Sequence, residues 1–169
     1  MNRYLAGALG GLLATVPMTL TMEALYRRLP RETAYPLPPR EITEDMLHKV
    51  GQDRGFDDRQ LTALSLFSHF GYGAVAGALY PLTRQQVEHP VIYGSGYGVA
   101  VWAASYFGWI PALRILAPPT QHPAQRRRLM IAAHLVWGAG TVWLGERLAR
   151  ERSRPPNARS SLAAPGDLS

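Results

Sequence analysis

The chain has no cysteine. Disulfides, thiolate metal sites and cysteine nucleophiles are therefore excluded, and the redox compartment stays undecided. P-loop, GxSxG, HExxH, CxxC and dinucleotide fingerprints are missing too. Nothing marks an enzyme, and no catalytic residue is assigned. Acidic residues are few: 12 against 18 Lys and Arg, for a net charge of +6 and a pI near 10.1. That balance suits either nucleic acid or anionic lipid head groups. The basic run Arg126–Arg128 abuts an apolar stretch. Lipid is the simpler partner there, and nucleic acid is not expected.

Charge is absent altogether from four stretches: Tyr4 to Met22, Gln60 to Thr83, Pro90 to Leu113 and Leu129 to Gly145. A bilayer core takes about 20 apolar residues per helix. The runs lack the polar face that a small soluble helix needs and the polar/apolar alternation of a barrel strand. They predict an all-α, four-helix transmembrane bundle with spans near 4–26, 58–83, 90–114 and 124–148, forming one domain over 1–150. The bilayer is the expected surrounding. The first run, with Arg3 before it, has a signal peptide as its alternative; Glu23 and Arg27–Arg28 directly after it favour a span. The Ser-, Pro- and Arg-rich segment 151–169 predicts a disordered tail.

The run ends carry helix punctuation. Asp57 with Gln60 makes a capping box, and Phe56 with Leu61 takes the staple positions. Pro90 and Pro123 suit first turns, and Gly51 suits a helix stop. Four spans put both termini on one side. That side carries seven Lys and Arg residues and the other eleven. Acidic residues in the 27–60 segment offset this bias, so orientation stays open.

The 27–57 segment predicts an extramembrane loop. Tyr35 to Arg40 reads as extended, because its prolines restrain themselves and their neighbours. Glu41 to Val50 reads as a short interfacial helix. Its alternatives are a gate over the bundle end or a docking segment for a membrane-complex partner. Glycines recur on every span: Gly7, Gly10 and Gly11; Gly73 and Gly77; Gly94, Gly96 and Gly98; Gly138 and Gly145. Small residues mark close helix approach in lipid, within one chain or to a second copy. Pro17 should kink the first span.

Three ionisable residues lie in or near the spans: Glu23, His69 and His134. Such groups are costly in lipid and usually face a bundle interior or water. Counted from Arg27, Arg59 and Arg128, their depths are roughly 6, 15 and 9 Å from one membrane face. They would line a descending polar path, with Tyr72, Tyr80, Trp102 and Tyr106 adding polar tips. Proton or ion handling is the first functional reading. A Zn or Fe site of two histidines and a carboxylate, or a haem held by His69 and His134, is the cofactor alternative. The depth spread of about 9 Å argues against one ion. The bland reading is that each histidine merely bonds a neighbouring helix, and no cofactor is the default.

Three features in order resemble a known family. Pro36-Leu37-Pro38-Pro39-Arg40 follows the first span, Pro118-Pro119 follows the third, and His134-Leu135-Val136-Trp137 lies in the fourth. Over roughly residues 5–150 they are similar to the YagU-like family of small bacterial inner-membrane proteins of unknown function. The resemblance implies a multi-pass inner-membrane protein and brings no reaction or cofactor.

Overall fold

The computed structural model describes residues 1–29, 38–52, 55–83 and 87–151. Among these residues the chain is all-helical, with five helices and no strand. They are α1 (Arg3–Tyr26), α2 (Pro38–Lys49), α3 (Asp58–Thr83), α4 (Pro90–Ala103) and α5 (Ala124–Glu151). α4 runs on through a π-helical turn, Ala104–Trp109, and a last turn, Ile110–Ala112. Pro36, Leu37 and the 152–169 tail lie outside the described residues.

Local chemistry sets the ends. At α3 the Gln60 amide donates to Asp57 Oδ1 at 2.8 Å and the Asp57 amide to Gln60 Oε1 at 3.0 Å, a reciprocal capping box. Pro90 opens α4 with His89 as its N-cap. Pro123 stands one residue before α5 instead of in its first turn. Gly51, at φ +72°, follows α2 and turns its chain out of the helix. The end of α4 needs the same left-handed residue and uses Arg114, at φ 55°, a conformation that disfavours a side chain. The expectation that Pro38 to Arg40 are extended is corrected: α2 already begins at Pro38, and a proline in the first turn has no intrahelical N–H to lose. α1 continues as helix past Pro17.

α1 is the hub. It packs on α3 along one side and on α5 along another, and α4 packs on α5. The buried residues of α1 (Ala6, Gly7, Gly10, Gly11, Ala14, Thr15, Met18, Met22) follow the three–four spacing of a single helical stripe. The glycines are the seams. A Cβ on Gly11 would lie 2.9 Å from Gly77 Cα, and one on Gly10 would lie 2.6 Å from the Thr141 oxygen. Gly94 and Gly98 meet Gly138 in the same way. Gly96 has no neighbour within 4 Å and takes no part.

α3 and α4 make little direct contact. Side chains bridge them instead: Tyr93 Oη to Thr83 Oγ1 at 2.6 Å, Tyr97 Oη to the Ala76 carbonyl at 2.6 Å, and Tyr72 Oη to Ser105 Oγ at 2.7 Å. Among the described residues only α1, near the N-terminus, is long and apolar enough by itself to cross a membrane.

Candidate functional site

The gap between α3 and α4 is closed at one end and hollow at the other. In the closed half Tyr97 stacks on Trp137 with ring centres 6.1 Å apart, and Trp137 Nε1 donates to the Gly11 carbonyl at 3.1 Å. Beyond this floor a cavity of about 470 Å³ extends toward α2. Its wall takes residues from all five helices, and α2 roofs it with Ile42, Thr43, Leu47 and their neighbours. The residues Ser68, Tyr72 and Trp109, which line its mouth on the outer side, are exposed.

Two features make room. The π-helical turn widens α4 where Ser105 and Tyr106 face the space, and Gly108 departs from helical geometry at φ −103°, ψ −107°; such turns often sit at functional sites. α2 is held off the floor by ion pairs. Arg126 is buried and pairs with Glu41, and Arg40 binds Glu44 and Asp58, both at 2.7 Å. The Arg40 guanidinium is pushed above its ordinary value, first by the hydrogen bond to Glu44 and then by that to Asp58. It stays charged at any physiological pH.

The sequence-derived candidates separate into two groups. His69, His134, Tyr72 and Tyr106 all line the cavity, as do Ser65 and Gly73 on the His69 face. His134 is buried and its Nδ1 bonds the Met130 carbonyl at 2.8 Å. The Nε2 of His69 is buried and has no hydrogen-bond partner among the described residues. Pro39 joins the lining, whereas Arg40 is engaged with its two carboxylates. Glu23 is elsewhere: it pairs with Arg27 at 2.9 Å on the exposed side of α1, because Met22 takes the inward position. Tyr80 lies at the opposite end of the bundle, and Trp102 is buried against Tyr106. Among the described residues no three His, Asp or Glu side chains come close enough to hold a metal ion. The three-residue ligand set therefore does not assemble.

One buried ionisable residue was not among the sequence candidates. Glu146 is buried at the far end, where Arg3 reaches it at 2.6 Å, Tyr80 Oη donates to it at 3.2 Å, and Arg150 approaches at 3.6 Å. This cluster ties α1, α3 and α5 together beyond the floor. Its signal was available. Glu146 continues the buried stripe Trp137, Gly138, Thr141, Val142, Gly145 of α5, but it also ends the uncharged run, and so it passed as a flank.

A family model described as a protein of unknown function (DUF1440) matches residues 23–142. No curated protein and no solved structure matches the chain.

Proposed function

We propose that this chain, which belongs to the DUF1440 family of proteins of unknown function, is a multi-pass membrane protein that binds a small amphipathic molecule in its one-ended cavity, in the service of transport or membrane homeostasis. The membrane reading draws support from the outer surface. Phe67, Ile92, Leu82 and Leu20 are 65–78 % exposed, while several polar groups, Thr15, Thr141 and Glu146 among them, are buried beside the apolar core. A soluble monomer rarely shows so large an apolar surface, and lipid removes its cost. On this reading α1, α3, α4 and α5 cross the bilayer as a four-helix bundle, and α2 lies at one face beside anionic head groups. The YagU-like resemblance of the Pro36–Arg40, Pro118-Pro119 and His134–Trp137 segments adds a bacterial inner membrane to the proposal.

The cavity itself carries the ligand reading. Pockets that hold small molecules are concave, mostly apolar and supplied with a few convergent polar groups, and this one is lined by methionine, leucine, isoleucine and tryptophan around two histidines. Three other readings have less support. A polar path across the bundle meets the Tyr97–Trp137 floor and the glycine seams. A metal ion on His69 and His134 has no third ligand among the described residues, and nothing beyond the histidine pair supports a haem between them. Docking of a complex partner through residues 27–60 would use the apolar residues of α2, which line the cavity.

Two measurements test the proposal. Without native cysteine, single cysteines at His48 and His89 can be labelled in intact vesicles with a membrane-impermeant maleimide. They are expected to react from opposite sides, and reaction from one side only would sink the membrane topology. Protein in mild detergent should bind a C12 amphiphile saturably. Ser65→Trp, which fills the cavity, should abolish that binding while the variant stays folded; binding unchanged in that variant would refute the site.

A further inference from the structure

Among the described residues the cavity has no charge on its wall: none of those lining it is Lys, Arg, Asp or Glu. A carboxylate, phosphate or ammonium head would be buried there without an ionic partner, at a cost that excludes it. The head of the ligand is therefore neutral.

Trp137 and Tyr106 are buried on the wall, with Trp137 Nε1 spent on the Gly11 carbonyl; the hydrogen-bonding sense of the head follows from the five other buried polar side chains. Each of these five donates to a backbone carbonyl four residues earlier on its own helix. Thr15 Oγ1 donates to Gly11 at 2.8 Å, Thr43 Oγ1 to Pro39 at 2.8 Å and Ser65 Oγ to Leu61 at 2.7 Å. Ser105 Oγ donates to Val101 at 2.8 Å, and His134 Nδ1 reaches the Met130 carbonyl at 2.8 Å. A carbonyl only accepts, so His134 Nδ1 must carry the proton. In the neutral ring Nε2 is then an acceptor. A hydroxyl has one proton, and each of these is spent. Ser105 Oγ also receives the Tyr72 hydroxyl, since its own proton goes to Val101. What remains on these five side chains is acceptor capacity: hydroxyl lone pairs and an imidazole nitrogen. The imidazole of His69, with its Nε2 unpartnered, adds further capacity of either sense.

From this uncharged, acceptor-rich wall around His134 we infer that the ligand is a neutral amphiphile whose head donates a hydrogen bond: a lipid-soluble alcohol or phenol with an apolar chain. A quinone, ester or ether of the same size offers only acceptors and leaves the wall unmatched. The inference rests on the proposed binding role of the cavity.

The test is a set of C12 probes on the full-length protein in mild detergent, read by intrinsic tryptophan fluorescence and calorimetry. The probes are 1-dodecanol, its methyl ether, dodecanoate and dodecylamine. The alcohol should bind about three- to tenfold tighter than the ether, the worth of one hydrogen bond. The two charged probes should bind more weakly than either. His134→Leu should remove the preference for alcohol over ether, and His134→Gln, which retains an acceptor oxygen, should restore part of it. Thermal unfolding of each variant shows that it is folded; if His134→Leu is not, the alcohol-to-ether ratio of the unmodified protein decides alone. An ether that binds as well as the alcohol, or a charged probe that binds better, overturns the inference and leaves the cavity as a binding site. Failure of all four probes overturns the binding role together with it.

Discussion

Replacing Gly138 with alanine should push α4 and α5 apart. The added Cβ would lie 2.6 Å from the Gly98 nitrogen and 2.7 Å from Gly98 Cα, with the Gly94 oxygen nearer still. Carbon atoms in ordinary contact sit about 3.5–4.0 Å apart, so the helix backbones must separate by about 1 Å. The obstructing atoms are all backbone, so no rotamer change can relieve them. Overpacking of this kind costs about 1–3 kcal/mol. Alanine returns up to about 1 kcal/mol in helix propensity, which leaves a net loss of up to about 2 kcal/mol. The matched control is Gly96→Ala on the facing helix, where the Cβ meets nothing within 4 Å and only the propensity gain remains. Unfolding in mixed micelles, followed by circular dichroism across an SDS titration, measures both. If the two variants shift stability with the same sign and size, close backbone packing is not what joins these helices.

Other perturbations reach different parts of the molecule. Glu146→Gln keeps the shape of the far-end cluster but removes the charge facing Arg3 and Arg150, and it should cost about 1–3 kcal/mol in the same unfolding assay. Arg126→Ala strips Glu41 of its buried partner and should release α2, seen as at least a tenfold faster proteolysis of the 38–52 segment with the helices behind it intact. Trp137→Phe keeps the stack on Tyr97 while losing the bond to the Gly11 carbonyl, for about 0.5–1.5 kcal/mol. Arg114→Gly should instead stabilise, by up to about 1 kcal/mol, because glycine takes the left-handed turn without strain.

The cavity exists because the helices form an open arc. α3 and α4 flank the pair α1 and α5, and each has its glycine seam on that pair. Nothing comparable joins α3 to α4, so their separation is set by tyrosine side chains. Where Tyr93 and Tyr97 fill the gap it is closed. Where the π-helical turn displaces α4 and only Tyr72 reaches across, it stays hollow.

The one-dimensional pattern determined the helices. Charge at the run ends, the Asp57–Gln60 box, Pro90 and Gly51 act within a few residues of each other, and their partners are near in sequence. The glycine positions were equally legible as contact surfaces, because a missing side chain is a property of the residue itself. Counting along helices of known rise put His69 and His134 at different depths from one face; that both line one cavity is visible only in the tertiary structure. The tertiary structure alone decided which neighbour each residue meets. Glu23 and Met22 are adjacent in sequence, yet the rotation of α1 turns Met22 inward and leaves Glu23 to Arg27. Gly96 is chemically identical to Gly94 and Gly98 but faces away from the seam. Glu146 became an interior charge only because Arg3, 143 residues earlier, arrives at the same end of the bundle. Rotation about a helix axis and the meeting of distant segments are set by packing among all the helices at once. No local stretch of sequence contains that information.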